Sequence, residues 1–168
     1  IVAGVALGLR GTPTEGAEAA RKLMQHFVDW NEVRVSRAQI LVAVLGKQPR
    51  AAVRIALLQR FLETYFLRQR SLNLDYLFTL KGHEVRRFLA ELQVYDREEL
   101  AAMLLTGFRQ RVFPPSDALR DVAALVGLIQ HKTTALQMAK RFETAVDEDE
   151  LYALYSYLYA LANDPERD

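Results

Sequence analysis

Apolar residues return at helical spacing along almost the whole of this chain, and no long stretch alternates polar with apolar at period two. That period buries one stripe of a helix, whereas a half-buried strand needs the two-residue alternation. It predicts an all-α fold. Ala20, Leu23, Met24, Phe27 and Val28 form a first stripe ending near Trp30. Ser36 is expected to cap a short helix carrying Ile40, Leu41, Val44 and Leu45, which Gly46 stops. Pro49 suits the first turn of the longest helix, with Val53, Leu57, Phe61, Tyr65 and Phe66 inside. Leu74, Leu77 and Phe78 mark a brief helix before KGHE. Val85, Phe88, Leu89 and Leu92 then continue the period until QVYD interrupts it. Asp96 followed by Glu99 reads as a capping box for the helix holding Leu100, Met103 and Leu104. Ser116 opens a helix with Leu119, Val122 and Ala123, closed by Gly127. Thr133 starts another (Leu136, Ala139, Phe142), and Asp147 with Glu150 caps the last, rich in Leu and Tyr. That makes about nine or ten helices of ordinary length joined by short loops. No repeat of fixed period and no low-complexity segment interrupts them.

A chain of 168 residues is read as a single compact unit over 1–168, with room for two small lobes sharing one core. It has no cysteine, which excludes a disulfide framework, a thiolate nucleophile, a cysteine-ligated zinc site and an iron–sulfur cluster. Its net charge of +1 does not by itself call for a nucleic-acid partner. The opening IVAGVALGLRG is apolar, but much shorter than a membrane span of roughly 20 residues. It also lacks a basic leader and a small-residue cleavage site. It reads as a packed or frayed terminal segment, and the protein as cytoplasmic with no membrane partner.

The candidate chemistry is sparse. His26, His83 and His131 stand in unrelated contexts without ligand spacing, so no metal and no other cofactor is expected. No G-x-S-x-G elbow and no phosphate-cradling Gly-rich loop occurs. The acidic run AVDEDE (145–150) lacks the glycine and spacing of a calcium loop, and acids at a helix start complement the macrodipole. Tyr152, Tyr155, Tyr157 and Tyr159 lie around most of the last helix, as the edge of a core or, for Tyr152, Tyr155 and Tyr159, as a surface for a protein partner. Arg86, Arg87, Arg97, Arg109, Arg111 and Arg120 gather in sequence around LQVYDREEL. Such a group holds phosphates, or forms a solvated face paired with Glu84, Glu91, Glu98 and Glu99. In VFPPSDALRD (112–121) a hydroxyl and a carboxylate stand at the mouth of a helix, where both a cap and a catalytic group are favourable.

One arrangement is more specific. A helix over 84–92, a tight turn, a helix over 97–108 and then VFPPSDALRDVAALVGLI resemble the core of the helix-hairpin-helix DNA glycosylase superfamily, in particular endonuclease III-like proteins. In that family the hairpin reads approximately L-x-G-V-G-x-K-T-A, and a later segment F-P-V-D-T-H-V-x-R-V-x-x-R-L-G-L. The second pattern is visible in Phe113, Pro114, Val122, Gly127 and Leu128, with Arg120 adjoining the place of its first arginine. HFVDWNEVRVS (26–36) and SLNLDYLFTL (71–80) also look like endonuclease III-like segments, so the resemblance runs over roughly 18–163. It implies a two-lobed helical bundle. Lobe one is expected at about 37–115, including the hairpin over 84–108, and lobe two at about 14–35 plus 116–163.

The resemblance also implies departures from the family's chemistry. The family's lysine is the nucleophile of its bifunctional members, and its aspartate assists that lysine or stabilises the developing sugar cation. Gapless alignment puts Glu98 at the lysine position and Ser116 at the aspartate position. Asp117 is a carboxylate, but one step along a helix turns a side chain by about 100°. Val94, Tyr95 and Asp96 stand where the hairpin glycines let backbone N–H groups approach a phosphate. The expected function is therefore a catalytically degenerate, non-enzymatic module that associates weakly with DNA through its arginines. The alternatives are an active glycosylase or lyase with Asp117 as relocated acid, and a protein-interaction scaffold using the Tyr-rich last helix. Ser116 is expected to act as a helix N-cap.

Overall fold

The structure, a computed structural model, describes residues 2–8, 13–48 and 50–164. Among them are ten α-helices, one 3-10 helix and no strand, as the period predicts. The chain divides into two compact units, 1–95 and 96–168, and the division falls inside the turn of the expected hairpin.

The first unit contains α1 (Val2–Gly8), α2 (Pro13–His26), α3 (Trp30–Val35), α4 (Ala38–Leu45), α5 (Ala51–Gln69), a 3-10 helix (Leu74–Phe78) and α6 (Gly82–Glu91). Of the apolar opening segment, α1 is packed: Val2, Ala3 and Ala6 are buried, and the helix lies against α2, α5 and the 3-10 helix. Helix α5 is the spine, contacting α1, α3 and α4. Its inner face is Ile55, Leu58, Phe61, Leu62 and Tyr65, together with a fully buried Arg54 whose Nη1 lies 4.0 Å from Glu15 Oε2. Phe61, Tyr65 and Phe88 form a chain of ring contacts, the first tilted at 5.8 Å and the second edge-on at 5.7 Å. The side-chain amide of Gln59 donates to the carbonyl oxygens of Val33, Arg34 and Ser36, at 3.1, 3.2 and 2.8 Å. These bonds satisfy acceptors that the end of α3 leaves open.

Several boundaries differ from the sequence expectation, each for a local reason. Helix α2 ends at His26, so Val28 falls in the following turn and is 92% exposed. Val53 is 49% exposed, because the buried face of α5 centres on Ile55 and Leu58 rather than on the Val53–Leu57 row. Ser36 is the C-cap of α3, and Arg37 takes the N-cap place of α4 without a side-chain bond. Gly46 does end α4, at φ 69°, a conformation that disfavours a side chain. Pro49 lies outside the described residues.

The second unit holds α7 (Arg97–Phe108), α8 (Asp117–Leu125), α9 (Ala135–Ala145) and α10 (Glu148–Ala162). Its core is built on Phe113, 1% exposed, whose ring meets Phe142 edge-on at 5.1 Å and Tyr155 at 6.1 Å. The N-cap of α9 is Thr134, in a capping box with Gln137, while Thr133 is buried one residue earlier. Asp147 occupies the N-cap place of α10 but makes no side-chain bond there; three acids in the first turn still complement the helix dipole.

Candidate functional site

The turn between α6 and α7 is where the resemblance would put phosphate-binding amides. It closes without glycine. Among the described residues of the turn only Gln93 has a positive φ, 53°, and neither Val94 nor Asp96, which stand at the glycine positions, adopts one. Val94 is buried, and Arg60 donates to the carbonyl of Gln93 at 2.8 Å. The predicted capping box at the start of α7 is present: Asp96 Oδ1 accepts from Glu99 N–H at 2.8 Å, and Glu99 Oε2 accepts from Asp96 N–H at 3.1 Å. The amide at the second glycine position is therefore committed to a carboxylate. Three acids, Asp96, Glu98 and Glu99, begin this helix, where the family presents a lysine.

Glu98 is exposed in the first turn of α7. On α10 the Tyr155 hydroxyl has its pKa pushed well above the usual tyrosine value by burial first, then by the charges of Tyr159, Glu98 and Tyr152. In the other unit Tyr65, whose hydroxyl donates to Asn73 O at 2.7 Å, is pushed up to about 12, chiefly by burial and then by Tyr76 and Asp75. Both hydroxyls hold their protons more tightly folded than unfolded. Their contribution to stability is complete below the ordinary value of about 10 and is lost as pH rises through the raised folded values. Chemical denaturation at stepped pH is expected to show constant stability from this source between pH ~8 and ~10 and a decline toward pH ~12. Tyr155→Phe should flatten part of that decline.

Ser116 stands at the N-cap place of α8 but accepts no hydrogen bond from the helix through its side chain, which corrects the expected cap. Backbone bonds organise this entrance. Ser116 N–H donates to Pro114 O at 3.0 Å, and Ser116 O accepts from Arg120 N–H at 3.0 Å. The residue is 4% exposed, in a segment pinned from both sides. Phe113 N–H donates to Glu143 Oε1 at 2.8 Å. Arg111 donates to the carbonyl oxygens of Glu143, Thr144 and Val146 at 2.6, 3.4 and 3.0 Å, closing the end of α9. The two N-caps are thus expected to differ. Asp96→Ala should cost about 1 kcal/mol and Ser116→Ala a few tenths (about 0.3 kcal/mol) in urea denaturation. Equal costs would contradict the geometry.

The remaining site residues separate. Asp117 has an 83% exposed side chain, 3.8 Å from Arg120, which bonds Asp121 more closely at 2.8 Å. The guanidinium of Arg109 lies 4.2 Å from the centroid of the Tyr152 ring. Arg109 and Tyr152 are distant in sequence and no spacing announces the contact. Arg109, Arg111 and Arg120 therefore already hold structural partners. Arg86 and Arg97 are exposed, and Arg87 reaches Glu91 only at 4.0 Å. On α10 Tyr155 is buried in the core, Tyr152 and Tyr159 are half-buried, and Tyr157 is 60% exposed. Among the described residues no group of His, Asp and Glu could hold a metal ion, and no helix is long and apolar enough to cross a membrane.

No family model matches the chain. Over 118 residues, 69% of this chain, it is 23% identical to DEMETER-like protein 3 of Arabidopsis thaliana. The match spans 11% of that protein's length.

Proposed function

We propose that this chain is a catalytically degenerate endonuclease III-like module that associates weakly with DNA without acting on it chemically. The weak similarity to DEMETER-like protein 3, a member of the helix-hairpin-helix DNA glycosylase family, supports a superfamily related to DNA repair. The observation that carries the non-catalytic half is the start of α7. Glu98 stands exposed at the lysine position, and the amide at the neighbouring glycine position is bonded to Glu99. A carboxylate cannot form a Schiff base. Asp117 is solvent-exposed beside Arg120, without the enclosure that a relocated acid would use. On this reading Arg86, Arg87 and Arg97 supply a diffuse attraction to phosphates. The interleaved lobes, about 37–115 and about 14–35 with 116–163, belong to the same proposal.

Assays of base release from duplexes carrying oxidised, alkylated or deaminated bases test it. The expected result is no release above the protein-free rate. Release that Asp117→Asn abolishes would instead establish the relocated-acid enzyme.

A further inference from the structure

The stretch 122–142 of this near-neutral chain contains Lys132, Lys140 and Arg141 and not a single Asp or Glu. It runs through the end of α8, a connecting loop and most of α9, all within the second unit. Gly127, at φ 79°, turns the chain at the end of α8. Around it Leu125, Val126 and Leu128 are left 66%, 46% and 50% exposed. Surface leucines occurring singly need no explanation, but three aliphatic residues within four positions form a patch. Beside them is an open hollow of about 570 Å³. Leu128, Ile129, Phe142 and Ala145 give it apolar walls, and Lys140 and Arg141 also line it. Both cations are exposed, and neither forms an ion pair among the described residues. The nearest acid on α9, Glu143, is engaged with the Phe113 amide. Glu98, Ser116 and Asp117 do not line this hollow.

We infer that this hollow docks a short amphipathic segment of a partner protein, with aliphatic residues seated on Leu128 and Ile129 and acidic residues meeting Lys140 and Arg141. The charge is complementary to an anion, and the apolar walls to a hydrophobic anchor. Single-stranded nucleic acid shares the charge but binds by stacking bases on exposed aromatic faces. Here the aromatic ring is Phe142, 7% exposed. A membrane surface asks for a protruding apolar edge along a helix, whereas this site is concave. An amphipathic helix laid in a groove uses anchors at i, i+3 and i+4 with charges at the rim, which is the chemistry present. The inference is independent of the proposed DNA association.

The test is fluorescence anisotropy with a labelled helical peptide of roughly 14 residues (about four turns), built from Leu, Ala and Glu with one apolar stripe. A version with Lys for Glu, a labelled single-stranded oligonucleotide and vesicles containing an anionic phospholipid are run beside it. The acidic peptide is expected to bind, and the basic one not to. Lys140→Glu with Arg141→Glu should weaken binding at least about tenfold, and Leu128→Asp comparably. Leu128 is half exposed, so its replacement should leave the helical circular dichroism unchanged. No binding of the acidic peptide, binding indifferent to these substitutions, or capture of the oligonucleotide or vesicles through the same residues would each overturn the inference.

Discussion

Replacing Phe113 by alanine is expected to destabilise residues 96–168 by about 3–5 kcal/mol, the range for removing a buried phenylalanine from a well-packed core. The ring is 1% exposed and contacts Phe142 and Tyr155 edge-on. Deletion therefore removes apolar burial together with two favourable aromatic geometries. The cavity would lie against α9 and α10, which also depend on Arg111 and on the bond from Phe113 N–H to Glu143. A loss of that size is a large share of the 5–15 kcal/mol typical of a folded domain. Hydrogen exchange is expected to accelerate most in α8, α9 and α10. A cost below about 1 kcal/mol would mean that the segment is not the keystone of its unit.

Incubated with abasic DNA and borohydride, the protein is expected to form no covalent adduct, and Glu98→Lys combined with Ser116→Asp is expected not to create an efficient one. Trapping requires an amine that reaches the sugar carbon of an extruded nucleotide. Position 98 supplies a carboxylate, and the nearest lysines in sequence, Lys81 and Lys132, lie outside the hairpin. The double variant restores both reacting groups but leaves the turn as it is. Asp96 N–H stays bonded to Glu99, and Val94, Tyr95 and Asp96 still replace a glycine-bearing turn. A positioned acid–base group is typically worth about 10²–10⁴ in rate, and only when substrate is held in register with it. An adduct with the unmodified protein, abolished by Asp117→Asn, would promote Asp117 to a catalytic role.

The helices were legible because period and punctuation agree. Asp96 and Glu99 form their box as their spacing predicts, since both partners are local. Gly46 ends its helix for the same kind of reason. Ser116 and Asp147 were legible as positions only: sequence says which residue precedes a helix, while the rotamer that makes or refuses the bond follows from packing. Thr133 against Thr134 is a choice between two good caps, decided by Gln137 lying three residues after the second. The roles of Arg109 and Arg111 were not legible. Both contacts join residues more than thirty apart, and only the folded unit brings them together. The arginines consequently looked like one cluster in sequence and became, in space, three structural residues and three lightly engaged ones.

The most direct test of the account is a binding titration against intact duplex, abasic duplex and single-stranded DNA over a range of salt. Weak binding to all three is expected, with log affinity falling linearly against log salt. Three phosphate contacts would give a slope of about −3 on duplex. Arg86→Ala, Arg87→Ala and Arg97→Ala together should remove most of both affinity and slope. No binding at low salt, or tight salt-insensitive binding selective for the abasic duplex, would contradict it.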